Sequence, residues 1–93
     1  MASNIIQTAY RYKIMFMKTQ FTDSSIEIET TQNNDGLWTA VVQIRPIDNA
    51  VIALRAQREL EGYKNQEEAE DAAMQWAKDR IEAYAVNRRL MQQ

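Results

Sequence analysis

The carboxylates hold the raw material for catalysis in this chain. Glu27 and Glu29 stand two residues apart, which puts both on one side of an extended strand; Glu67, Glu68, Glu70 and Asp71 crowd a single short stretch. Paired carboxylates can run general acid–base chemistry when burial or a shared proton moves their pKa values apart. Here the first pair lies on a polar strand face and the second group opens a helix, so both read as solvated surface. The chain has no histidine and no cysteine. That removes Ser-His-Asp and Cys-His nucleophile systems, the commonest general base, and thiolate zinc sites. With Gly36 and Gly62 the only glycines, neither a P-loop nor a Gly-x-Gly-x-x-Gly turn can be built. Asn33-Asn34-Asp35-Gly36 is too short for a calcium loop and lacks the ligand spacing after it. We therefore expect no enzyme, no catalytic residue, no metal and no cofactor.

Two contact chemistries remain. The first is basic and aromatic: Tyr10-Arg11-Tyr12-Lys13, with Arg45, Arg55 and Arg58 further along. Aromatic rings on a sheet can stack bases while interleaved cations hold phosphates. Strand parity places Tyr12 with Ile14 and Phe16 on the core face, and Arg11 and Lys13 on the opposite one. A nucleic-acid site would thus use Arg11, Lys13, Arg45 and Arg55; pairing of Arg11 and Lys13 with Glu27 and Glu29 across strands is the plainer alternative. The second chemistry is apolar. The same parity puts Met15 and Met17 on the face away from the core, with Val41 beside them and Val51 a further candidate. Apolar side chains on an uncovered sheet face predict a protein contact, and methionine adapts to varied partner surfaces.

The elements that must position these residues follow from periodicity and turn chemistry. Tyr10 to Met17 alternates at period two and predicts a strand. Thr22-Asp23-Ser24-Ser25 is a turn cluster, after which Ile26, Ile28 and Thr30 alternate with Glu27, Glu29 and Thr31. Gln32-Asn33-Asn34-Asp35-Gly36 is the clearest turn, since Asn and Asp tolerate left-handed angles and Gly36 adopts them freely. Leu37 to Arg45 is a third strand, with Trp38, Ala40, Val42 and Ile44 inward, and Pro46 ends it. Residues 50–61 fit either a fourth strand or a helix. Composition favours helix, whereas Ile52, Leu54, Ala56 and Leu60 at period two favour strand, the reading we prefer. Asn65 then caps a long helix running from Gln66 to about Leu90, with Glu68 three residues on and acidic side chains at the positive end of the dipole. Ala69, Ala72, Ala73, Trp76, Ala77, Ile81, Tyr84 and Met91 recur at three- and four-residue spacing and form one stripe.

Length and charge bound the rest. Ninety-three residues make one domain with a thin core. The organisation expected is a flexible N-terminus over residues 1–9 and a single α+β domain over 10–93. A net charge of −2 argues against a strongly basic nucleic-acid binder. The longest apolar run, Ile14-Met15-Phe16-Met17, is far short of a membrane span, and residues 1–9 lack the features of a secretion signal. A cytoplasmic protein that does not engage the membrane is expected.

Asp35-Gly36-Leu37-Trp38-Thr39-Ala40 and, later, Gly62-Tyr63-Lys64-Asn65-Gln66-Glu67-Glu68-Ala69 resemble the pattern of HicB-type domains over roughly residues 25–85. That resemblance implies a strand hairpin followed by a capped helix, in a small antitoxin-like domain. The Pro and Gly-Cys segment that such domains carry between strand and helix is missing here. The same elements are similar to small bacterial sheet-plus-one-helix domains and to the double-stranded-RNA-binding shape. The latter needs a basic start to its last helix, where this chain has Gln66-Glu67-Glu68.

The combined reading is an α+β fold: three or four antiparallel strands with one long C-terminal helix on one face. Its expected function is a self-associating protein-interaction module, a homodimer or the partner of another protein, using the Met15, Met17 and Val41 face or a strand edge. The alternative is a nucleic-acid-binding regulatory domain.

Overall fold

Alternating apolar and polar residues fold here into a four-stranded antiparallel meander, crossed on one face by a single helix. The computed structural model describes residues 14–48 and 54–91. The strands are β1 (Ile14–Phe21), β2 (Ser24–Gln32), β3 (Trp38–Pro46) and β4 (Ala56–Tyr63), and the helix is α1 (Gln66–Met91). Each strand pairs with the next in sequence, giving the order β1-β2-β3-β4. The expected flexible residues 1–9, the strand start at Tyr10–Lys13 and the candidate Val51 all lie outside the described residues.

Period two is cleanest in β2 and β3. Ser24, Ile26, Ile28 and Thr30 are buried on one side of β2, and Trp38, Ala40, Val42 and Ile44 on the same side of β3. Directly opposed residues of antiparallel strands share a face, and the register pairs Ile26 with Ile44, Ile28 with Val42 and Thr30 with Ala40. The hydroxyls of Ser24 and Thr30 are buried without a hydrogen-bond partner, so this face carries a desolvation cost that its apolar neighbours must offset.

The turns follow their residue types. Around Gly36, Asn33 N–H donates to the Leu37 carbonyl at 2.7 Å and Gly36 N–H to the Asn33 carbonyl at 2.9 Å. Asp35 Oδ1 accepts from Leu37 N–H at 2.9 Å, and Gly36 has φ +86°. The β1–β2 connection is tighter than the four-residue cluster suggests. Only Thr22 and Asp23 turn, Ser24 and Ser25 already belong to β2, and Thr22 sits at φ 53°, an uncommon angle for a β-branched residue.

Among the described residues the ambiguous stretch resolves as strand, with β4 beginning at Ala56, while residues 50–53, Ile52 included, lie outside them. Leu54 just before it is buried, and Ala56 and Leu60 pack against the core. Between the Trp38–Tyr63 and Ala40–Leu60 pairs the register slips, leaving one extra residue on β4 beside Gly62. A bulge needs such a residue, and Gly62 supplies φ +88° there. A Cβ built at Gly62 would meet no heavy atom within 4 Å, so any penalty for alanine is conformational. We expect Gly62→Ala to cost about 1–2 kcal/mol in urea denaturation; an unchanged midpoint would show that the bulge does not require a left-handed residue.

The cap of α1 forms as the sequence predicts. Glu68 N–H donates to Asn65 Oδ1 at 2.8 Å, and Ala69 N–H to the Asn65 carbonyl at 3.3 Å. Ala69, Ala73, Ala77 and Ile81, spaced by four, are all buried against the sheet. Trp76 and Tyr84 flank them, half-buried. α1 lies mainly across β2, β3 and β4. Its 26 residues span about 39 Å, against about 30 Å for a nine-residue strand. The helix therefore outruns the sheet, and Val86 near its end is exposed. Among the described residues, no helix is long and apolar enough to cross a membrane.

The first strand corrects the expected parity. Met15 pairs with Thr30, Met17 with Ile28 and Phe21 with Ser24, so these residues take the helix side, where Met17 and Phe21 pack on the core. Ile14 and Phe16, expected in the core, stand on the opposite face, 59% and 65% exposed. The physical reason lies further along the strand. Lys18 and Gln20 share the parity of Ile14 and Phe16, and charged and amide groups belong in water. Phe21 shares the parity of Met15 and Met17, and its ring belongs under the helix.

Candidate functional site

The sheet face away from α1 can be laid out in rows, because the register fixes each opposed set. One row runs Phe16, Glu29, Val41, Glu59; the next runs Lys18, Glu27, Gln43, Gln57. Ile14 opposes Thr31, and Thr31 opposes Thr39, at one end, while Gln20 opposes Ser25, and Ser25 opposes Arg45, at the other. This face is polar over β2, β3 and β4 apart from Val41, as solvated antiparallel sheets usually are. Its apolar content is concentrated in β1.

Of the residues expected to form an apolar contact, Val41 is on this face, half-buried beside Phe16, Glu27, Glu29 and Gln43 around a hollow of about 80 Å³. Met15 and Met17 are not. Met17 belongs to the core fringe. Met15 is on the helix side but 48% exposed, since β1 lies outside the strands that α1 mainly covers. The structure thus brings together Ile14, Met15 and Phe16, consecutive apolar residues exposed on both faces of one edge strand. Sequence parity missed Ile14 and Phe16; Lys18 and Gln20, two and four residues beyond Phe16, carried the signal that would have found them.

The basic positions separate. Arg11 and Lys13 lie outside the described residues. Arg45 and Arg55 line one open hollow of about 310 Å³ with Gln43 and Gln57, so two of the four expected cations do meet. Arg58 does not join them. It pairs with Val42 in the register, faces the helix, and lies 6.0 Å from the centre of the Trp76 ring, where its charge meets the negative face of the indole. Lys78 sits likewise, 5.6 Å from the Phe21 ring.

The acidic groups resolve into ordinary surface roles. Glu27 is approached by Lys18 Nζ at 3.9 Å and by Arg45 Nε at 4.0 Å. The cross-strand partner of Glu27 is Lys18, and that of Glu29 is Phe16; these are the places that the sequence reading gave to Arg11 and Lys13. Both ion pairs are exposed on the cationic side, and such pairs contribute little. Arg45 also donates to Gln43 Oε1 at 2.9 Å, and Gln43 Nε2 to Gln57 Oε1 at 3.1 Å, which ties β3 to β4 across the open face. Glu67 and Glu68 occupy the first turn of α1, where they complement its dipole. No group of three or more Asp or Glu among the described residues could hold a metal ion.

The open face combines a polar sheet, a charge cluster of Lys18, Glu27 and Arg45, and an apolar flank at β1. Searches of protein-family models, curated proteins and solved structures find no match to this chain.

Proposed function

We propose that this chain is a non-enzymatic, self-associating protein-interaction module that works in the cytoplasm. The observation that carries the reading is the run Ile14-Met15-Phe16, 59%, 48% and 65% exposed on an edge strand. Three consecutive large apolar side chains in water are costly to leave uncovered, at about 25 cal/mol for each Å² of apolar surface. Val41 extends the patch inward beside Phe16. The resemblance of Asp35–Ala40 and Gly62–Ala69 to HicB-type domains is in keeping with a module that acts by contact.

Sedimentation equilibrium across micromolar to millimolar concentrations tests this reading. Dimer is expected for the unaltered chain, and monomer for Ile14→Lys/Phe16→Lys with its circular dichroism unchanged. A unaltered chain that stays monomeric throughout would overturn self-association.

A second reading, nucleic-acid binding, draws on the meeting of Arg45 and Arg55 at one hollow, with Lys18 a row away. Glu27, within 4.0 Å of Arg45, opposes it. Three phosphate contacts would make duplex binding fall about 40-fold between 50 and 200 mM salt. An oligonucleotide titration showing that fall would favour this reading, and absence of binding at 50 mM would dismiss it.

A further inference from the structure

We propose that the outer edge of β1 pairs antiparallel with β1 of a second copy, with Phe16 at the two-fold axis, so that the two sheets become one. The proposal rests on the self-association reading and names its surface and geometry.

The two edges of the described sheet differ in kind. β4 carries Gln57, Arg58, Glu59 and Glu61 and is interrupted by the bulge at Gly62. Charges and bulges are what keep an edge from pairing with another chain. β1 has neither device over its first half: Ile14-Met15-Phe16-Met17 is uncharged, free of proline, and in unbroken register with β2. A strand apolar on both faces is normally covered on both, and among the described residues β1 pairs with β2 alone and lies outside the strands that α1 mainly crosses.

Stacking of the open faces is the competing geometry, and the residues argue against it. It would bury Glu27, Glu29 and Glu59 with Gln43 and Gln57, groups that are expensive to desolvate. An edge pairing leaves all of them in water.

Self-pairing restricts the register. A two-fold axis perpendicular to the sheet keeps helix-side residues together and open-face residues together. With Phe16 on the axis, Phe16 opposes Phe16, Ile14 opposes Lys18, and Met15 opposes Met17. The aromatic pair and the sulfur pair are then each in cross-strand contact, and the Lys18 stem covers Ile14 while its charge stays wet. Moving the axis to Met17 would set Ile14 against Gln20, Met15 against Thr19 and Phe16 against Lys18, leaving Met17 opposite Met17 as the one apolar pair. The helix sides of the two copies would then be continuous, which covers Met15.

Size sets the strength. The exposed parts of Ile14, Met15 and Phe16 come to roughly 300 Å² in each copy, so roughly 600 Å² in the pair before backbone is added. A standard interface buries about 1,200–2,000 Å² in total. A micromolar, concentration-dependent dimer is the expected result, so the test must span concentration.

Hydrogen exchange of the unaltered chain, followed from a few micromolar to near millimolar, reads the edge directly. Amides of β1 are expected to slow at least tenfold as the dimer fills, with those of β4 unchanged. Because the chain has no cysteine, single-cysteine variants give a second readout. Phe16→Cys is expected to form a disulfide-linked dimer under mild oxidation, its Cα atoms falling within the 4.4–6.8 Å that a disulfide spans. Val41→Cys and Gln57→Cys are expected to form no disulfide-linked dimer. A dimer by mass that crosslinks through Val41 or Gln57, or that leaves β1 exchange unchanged, would overturn edge pairing while self-association stood. A monomer with β1 slow at every concentration would overturn both, and would assign the edge to the chain's own N-terminal segment.

Discussion

Truncating Ile28 to alanine is expected to cost about 2–5 kcal/mol, whereas Ile14→Ala is expected to cost under about 0.5 kcal/mol. Both are isoleucines in adjoining strands, and both read as core from the sequence. Ile28 is 1% exposed between Met17 and Val42, on the face that α1 covers. Shortening it opens a cavity that a close-packed sheet and helix can fill only in part. Ile14 is 59% exposed on the other face, and its removal opens nothing. A domain of this length has a total stability of about 5–14 kcal/mol, so Ile28→Ala would lower the melting temperature by on the order of 10–30 °C. Thermal unfolding followed by tryptophan fluorescence, at a concentration where the chain is monomeric, separates the two. A loss at Ile14 matching that at Ile28 would mean that the register of β1 is wrong.

Enlarging the helix stripe is expected to be the next most damaging change. Ala73→Leu should cost about 1–3 kcal/mol, while Ala83→Leu on the same helix should be close to neutral. Ala69, Ala73 and Ala77 have no exposed surface, and they form one line along the helix at the core formed with Ile26, Ile28, Ala40 and Val42. With nothing beyond Cβ on that line, the backbone of α1 can come close to the sheet. A leucine at Ala73 needs volume that is already occupied, so the helix must lift or the side chain must leave its preferred rotamer. Ala83 is exposed, and leucine is nearly as good a helix former as alanine. Urea midpoints for the two variants check this directly. Equal midpoints would show that α1 is not held as closely as its alanines imply.

Most of the architecture was legible because independent local signals agreed. In β2 and β3 the apolar positions keep one parity from end to end, and Asp35-Gly36 and Asn65 mark the two boundaries that matter most. Residues 50–61 were ambiguous because their composition favours one element and their period another. The period prevailed from Ala56 onward, where Ala56 and Leu60 face the core. The candidate site was less legible. β1 opens with four apolar residues in a row, a run with no parity of its own, and the choice of face rested on ring size and β-branching in Ile14 and Phe16. Solvation of Lys18 and Gln20 and the burial of Phe21 decided it the other way. Of the three residues expected to form the apolar contact, only Val41 was placed on the correct face.

The strand order, β1 to β4 in chain order, also sets how the ordering entropy is spent. Each pairing closes only the short segment between neighbours: Thr22–Asp23, then Asn33–Leu37, then residues 47–55, with Lys64–Asn65 leading into α1. The cost of closing a loop grows with the logarithm of its length, so no single step here demands a large loss of freedom before any contact repays it. Contacts that join near neighbours in sequence also go with rapid folding. The exception is the docking of α1, whose Ile81 joins one core with Ile26 and Ile28, more than half the chain away. The sheet can therefore zip in small increments, and the helix supplies the one long-range closure that makes the whole cooperative.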